Sequence, residues 1–179
     1  MKKTLGVGIL LFLGLQASIA RAELFAVDVN AEAGYYNATA IQNGDDVNRT
    51  LAGGTAGVRA RVSFLFLNAM ADYQHFFSNA DLFHLGIGPI YKFPIPLLKP
   101  YIYLNLGLLM LKASSGALDP EPVSDLAMKT GFQGRAGGGM DLSIMPFLVV
   151  GAVVDAGYHR FKESGGLDYS ILGYVGLRI

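Results

Sequence analysis

The sequence predicts an all-β chain, an eight-stranded antiparallel up-and-down transmembrane β-barrel. Three observations predict it. Apolar residues make up 52% of the 179 residues and the mean hydropathy is +0.39, yet beyond residue 22 no run of about 18 apolar residues exists that could cross a bilayer as a helix. Segments in which apolar residues alternate with polar or small ones recur eight times, the period of strands with two unlike faces. Long polar connections also tend to alternate with brief ones, as they do when one end of a barrel carries loops and the other carries turns.

The first 22 residues are set apart. Lys2 and Lys3 precede an apolar stretch from Leu5 to Leu15, and small residues end at Ala20-Arg21-Ala22. This is the order of a cleavable signal peptide, too short to span a membrane as a helix. The expected organisation is therefore signal 1–22 and barrel 23–179, one domain. Removing Lys2, Lys3 and Arg21 leaves 11 basic residues against 14 acidic ones, and the chain has no cysteine. Nucleic acid is not an expected partner. Disulfides, thiolate metal sites and a cysteine nucleophile are excluded.

In the first strand Phe25, Val27, Val29, Ala31, Ala33 and Tyr35 alternate with Ala26, Asp28, Asn30, Glu32, Gly34 and Tyr36. The polar stretch Asn37 to Thr50, with Asn43-Gly44-Asp45-Asp46, reads as a loop. The second strand sets Ala56, Val58, Ala60, Val62 and Phe64 against Gly57, Arg59, Arg61 and Ser63, and a connection near Leu67-Asn68 follows. The third opposes Ala71 and Tyr73 to Met70, Asp72 and Gln74, and Ser78 to Asp81 turns the chain. The fourth opposes Phe83, Leu85, Ile87 and Tyr91 to His84, Gly86, Gly88 and Lys92, ended by Pro94 and Pro96.

After Leu97 to Pro100, the fifth strand opposes Ile102, Leu104, Leu106 and Leu108 to Tyr101, Tyr103, Asn105 and Gly107, and Lys112 to Ala127 reads as a second long loop. The sixth carries Phe132, Ala136, Met140 and Leu142 against Gln133, Arg135, Gly137, Gly139 and Asp141, with a turn at Ile144-Met145-Pro146. The seventh alternates from Leu148 to His159, with Asp155 and His159 on the less apolar face; Lys162 to Asp168 reads as a glycine-containing loop. The eighth ends the chain with Ile171, Gly173, Val175, Leu177 and Ile179 opposite Ser170, Leu172, Tyr174, Gly176 and Arg178.

A soluble lipocalin-like barrel would share this period with its apolar face turned inward. Charge separates the two. The polar faces hold Asp28, Glu32, Asp72, Asp141 and Asp155 against Arg59, Arg61, Lys92, Arg135 and Arg178, five acids and five bases. A closed lumen must pair its charges, so these ten residues are the expected lumen network. Counting outward from the turns predicts Arg135 opposite Asp155 and Arg61 opposite Asp72. Phe25, Tyr35, Tyr91, Phe93, Tyr101, Phe147, Tyr158 and Tyr169 near segment ends are expected in interfacial aromatic girdles.

Three stretches carry a resemblance: Lys99-Pro100-Tyr101-Ile102-Tyr103, Gly137-Gly138-Gly139-Met140-Asp141-Leu142, and the closing Gly176-Leu177-Arg178-Ile179. With them the chain resembles the small outer-membrane β-barrel proteins, the group of the OmpA membrane domain, OmpX and Ail. The resemblance implies a bacterial outer-membrane location. It also implies, as partners, outer-membrane lipid and lipopolysaccharide, and periplasmic chaperones and the barrel-assembly machinery during biogenesis. Members usually end in an aromatic residue, where this chain has Ile179.

Candidate chemistry is sparse. Gly131, Gly134 and Gly137 recur at spacing three, but no strand-to-helix context makes them a phosphate-binding loop. His84 and His159 are expected to face inward and His75 outward, with no third ligand at metal-site spacing. The set His159, Glu163 and Ser164 lacks the His-x-Ser spelling of outer-membrane lipid A deacylases. The expectation is therefore no enzyme, no cofactor and no metal. It is a structural or surface-interaction barrel acting through its loops on a ligand of unknown identity, its lumen plugged by salt bridges. The alternatives are a narrow passive channel for small solutes and an outer-membrane lipid-modifying enzyme.

Overall fold

In the computed structural model, residues 25–43, 47–78, 80–95, 97–113, 128–162 and 165–179 are described. The expected signal, 1–22, lies outside them. The strands are β1 (Phe25–Asn43), β2 (Val47–Phe64), β3 (Leu67–Phe76), β4 (Ala80–Lys92), β5 (Leu98–Ala113), β6 (Lys129–Met145), β7 (Leu148–Arg160) and β8 (Gly165–Arg178). Each pairs antiparallel with its neighbour, and the sheet closes into a barrel through β1 and β8. Ile179 takes part in that closure, its amide and carbonyl exchanging 2.9 Å hydrogen bonds with Val27. No sheet edge is left between these strands, which is what lets a β-structure stand in hydrocarbon.

The faces follow the alternation. Ile87, Ile102, Leu104, Leu106, Ile171 and Leu177 are exposed on the outside, while Asp28, Arg59, Arg61, Asp72, Arg135 and Asp155 are buried inside. An apolar exterior around a charged interior is the inverse of a soluble barrel and matches lipid as the outer solvent. The lipocalin-like alternative is thereby set aside.

The strand ends differ from the sequence-based bounds. The expected loop Asn37 to Thr50 is largely ladder: Asn37 pairs with Ala52, and Asn43 with Val47, across an irregularity between Ala38 and Ile41. Polar side chains do not prevent pairing where backbone groups have no other partner. β5 runs to Ala113, and the rest of the second expected loop, 114–127, lies outside the described residues. The turn after β2 is Leu65-Phe66, not Leu67-Asn68, and the turn after β6 is Pro146-Phe147. β8 starts at Gly165, so Asp168 is a strand residue rather than a loop residue.

These displacements correct two expected pairs. Arg61 lies opposite Met70, and Asp72 opposite Arg59. Arg135 lies opposite Gly157, and Asp155 opposite Gly137, with a register shift between Ser143 and Met145. Both corrections are even in register, so the side chains keep their face; an odd slip would have turned them to lipid.

Candidate functional site

The lumen is the most elaborate site, and it is layered along the barrel axis. At the turn end, Asp28 of β1 receives Arg61 (Nη2 at 3.0 Å) and Arg178 (Nε at 2.6 Å), with Lys92 Nζ at 4.0 Å. Asp141 of β6 pairs with Arg178 and accepts a hydrogen bond from the Tyr174 hydroxyl. Arg61 also lies 3.7 Å from Asp141 and stacks over Tyr101, 4.5 Å from its ring centroid. Two carboxylates here face three cations.

One step toward the loops, Arg59 lies 3.2 Å from each of Glu32, Asp72 and Asp155. Arg135 reaches Asp72 at 2.8 Å. Gln74 donates from one amide nitrogen to Glu32 (3.1 Å) and Asp72 (2.9 Å), while Ser170 (3.1 Å) and Tyr103 donate to Asp155. Three carboxylates surround two guanidiniums, an excess opposite to that of the turn-end layer. Together the layers hold all ten sequence-derived charges, drawn from every strand except β5, which contributes Tyr101 and Tyr103. They form two clusters rather than one chain of neighbouring pairs.

Above this, Asp168 accepts from Gln133 Nε2 (2.8 Å) and lies 3.1 Å from His159 Nδ1. Asp168 is the lumen acid that sequence reasoning missed. It has the parity of Ser170, Leu172 and Tyr174, so extending the eighth alternation by one step would have found it. An apolar layer then fills the loop end: Tyr36, Leu51, Phe76, Leu82, Leu109, Leu111 and Phe161, with Tyr36 edge-on to Phe76 at 5.3 Å.

Glycines on the inner face make room for these groups. A Cβ on Gly137 would overlap Asp155 Oδ1 and come within 2.8 Å of the Tyr103 ring, and one on Gly139 would overlap Tyr101. Gly131, Gly134 and Gly137 all lie within β6, so their spacing of three belongs to a strand rather than to a phosphate loop.

His84 is fully buried, and neither ring nitrogen has a hydrogen-bond partner among the described residues. His159 is 1% exposed and faces the lumen, away from any lipid substrate; Glu163 and Ser164 lie outside the described residues. His75 faces outward and shares Asp81 Oδ1 with Tyr73, each at 2.8 Å. No group of three or more His, Cys, Asp or Glu residues suited to a metal ion occurs among the described residues. Of the expected girdle aromatics, Tyr101 is a correction. It is 2% exposed and packs inside, as its alternation with Ile102 requires. The other seven are exposed.

No protein-family model and no curated protein matches the chain. Among solved structures, Neisserial surface protein A is similar, with a TM-score of 0.59 at 18% identity over 87% of this chain and 96% of that one. The N-terminal β-barrel domain of Pseudomonas aeruginosa OprF is also similar, with a TM-score of 0.55 at 16% identity over 86% of this chain and 97% of that one. Identities this low speak for the fold. In fold, the chain is a small eight-stranded barrel of the outer-membrane kind.

Proposed function

We propose that the protein is a non-conducting outer-membrane scaffold, exported by residues 1–22, whose role is exercised at its surface rather than through its lumen. The observation that carries this reading is the cross-lumen network. Arg59 and Arg135 join Glu32 of β1, Asp72 of β3 and Asp155 of β7 by contacts of 2.8–3.2 Å, and the apolar layer lies on its loop side. Eight strands enclose a space that side chains can fill, and a hydrated ion would have to break several buried ion pairs to pass. The sealed position of His159, 1% exposed in the lumen, supports a non-catalytic role. The lumen charges therefore act as a plug and the loops as the contact surface, with lipopolysaccharide and the barrel-assembly machinery as general partners of the outer-membrane location.

A narrow passive channel is the second reading, favoured by buried polar atoms that make no hydrogen bond among the described residues, such as Lys92 Nζ and Arg135 Nε, which are places for internal water. Two measurements test the proposal. Outer-membrane fractionation with heat-modifiable migration of the unboiled protein tests location, and a soluble periplasmic fraction would refute it. Planar-bilayer recording is expected to show no large steady conductance; stable porin-sized openings would refute the plug.

A further inference from the structure

On the outer wall, Leu106 of β5, Phe132 and Gly134 of β6 and Tyr158 of β7 line a groove of about 580 Å3 together with Arg160, Phe161 and Lys162. The register explains it. Gly134 lies between Leu106 and Tyr158 in one cross-strand row, and Phe132 lies opposite Arg160 in the next. The missing side chain at Gly134 leaves a notch among large apolar neighbours that are each more than half exposed. The notch is not demanded by packing, because a Cβ there would meet only Leu106 Cδ2, at 3.2 Å.

The upper rim is cationic. Arg160 ends β7 and faces outward, and Lys162 follows it. Arg160 stands opposite Phe132 and Gly165, and among the described residues neither cation has a carboxylate within ion-pair distance. A charge on the lipid face is tolerated near the interface and costly at depth, which places this pair at the loop-side headgroup level. An apolar slot continuing upward into two cations is complementary to an acyl chain continuing upward into phosphate.

We propose that this groove is a specific site for lipid A, the phosphorylated, acylated glycolipid of the loop-side leaflet. One acyl chain lies over Gly134 between Leu106, Phe132 and Tyr158, and a phosphate meets Arg160 and Lys162. The identity of the lipid rests on the proposed outer-membrane location, and fractionation tests that location separately.

The test is native mass spectrometry of the refolded barrel with lipid A, dephosphorylated lipid A and phosphatidylglycerol, using only protein that shows heat-modifiable migration. Lipid A is expected to be retained roughly tenfold or more over its dephosphorylated form, and R160Q/K162Q to abolish that preference. Gly134→Leu, which fills the notch, is expected to lower retention severalfold with the cations intact. Inorganic phosphate alone is expected not to compete. Unchanged retention in R160Q/K162Q, or in Gly134→Leu, overturns the site. Equal retention of phosphatidylglycerol overturns lipid A as its ligand. Retention that is weak until Asp119, Glu121 and Asp125 are neutralised would give the groove to the chain's own 114–127 segment instead.

Discussion

Asp72→Asn removes one charge from the lumen while nearly preserving shape, and its cost can be worked from the geometry. Asp72 Oδ2 lies 2.8 Å from Arg135 Nη1 and 3.2 Å from Arg59 Nη2. At an effective dielectric constant near 20, attractions at these distances amount to about 6 and about 5 kcal/mol. Much of this only offsets the several kcal/mol needed to desolvate each ion. The two arginines fare differently when Asp72 is neutralised. Arg59 keeps Glu32 and Asp155, whereas Asp72 is the ion-pair partner of Arg135, which is 0% exposed. An uncompensated buried guanidinium is expected to cost about 3–5 kcal/mol. The assay is urea unfolding of the barrel refolded in lipid vesicles, read by gel shift and far-UV circular dichroism, together with Arg135→Met and the double variant. Asp72→Asn should be strongly destabilised, and Arg135→Met added to it should recover a large part of the loss. A single variant within about 1 kcal/mol of wild type, or a double variant no better than the single, would refute the claim that these charges are held by one another.

Lys92→Met should behave in the opposite way, costing under about 1 kcal/mol or stabilising in the same assay. Its Nζ is 4.0 Å from Asp28, and it is the cation in excess at the turn end. Gly137→Ala should lose about 1–3 kcal/mol by overpacking against Asp155 and Tyr103, while Gly134→Ala should be nearly neutral, so paired unfolding curves separate the inner from the outer glycines. At the turn end Phe64, Leu65, Phe66 and Leu67 are all exposed, and Leu65 has φ of 54°, a strained conformation for a branched residue. This apolar turn continues the lipid-facing belt, and the chain has no tryptophan. Phe66→Trp should therefore fluoresce alone, quenched by brominated acyl chains rather than by acrylamide; the reverse order would put the turn in water.

Much of the barrel could be read from particular residues. The alternation from Phe25 to Tyr36 and from Ser170 to Ile179 defines two faces whatever their neighbours, because successive strand side chains point to opposite sides. That Asp28, Arg59, Asp155 and Arg178 lie on the polar faces follows at once, and the balance of five acids and five bases turns those faces inward. Partnership did not follow. Arg135 was expected against Asp155 and instead lies against Asp72 of β3, which is not an adjacent strand. Arg61 joins Asp28 and Asp141 rather than Asp72. Asp168 was hidden by a strand end placed too late.

By itself the sequence determined the period, the number of strands and the sign of each face, since these depend only on near neighbours along the chain. The tertiary structure decided which charges meet, that they divide into two clusters, and that an apolar layer covers them. Those outcomes depend on the exact turn residues, on the irregularity between Ser143 and Met145, and on closure of β1 against β8. Arginine side chains reaching across a narrow lumen select partners by distance through space, which no spacing along the chain encodes. The outer groove arises in the same way, because Gly134 becomes a notch only when the registers of β5, β6 and β7 set Leu106 and Tyr158 on either side of it.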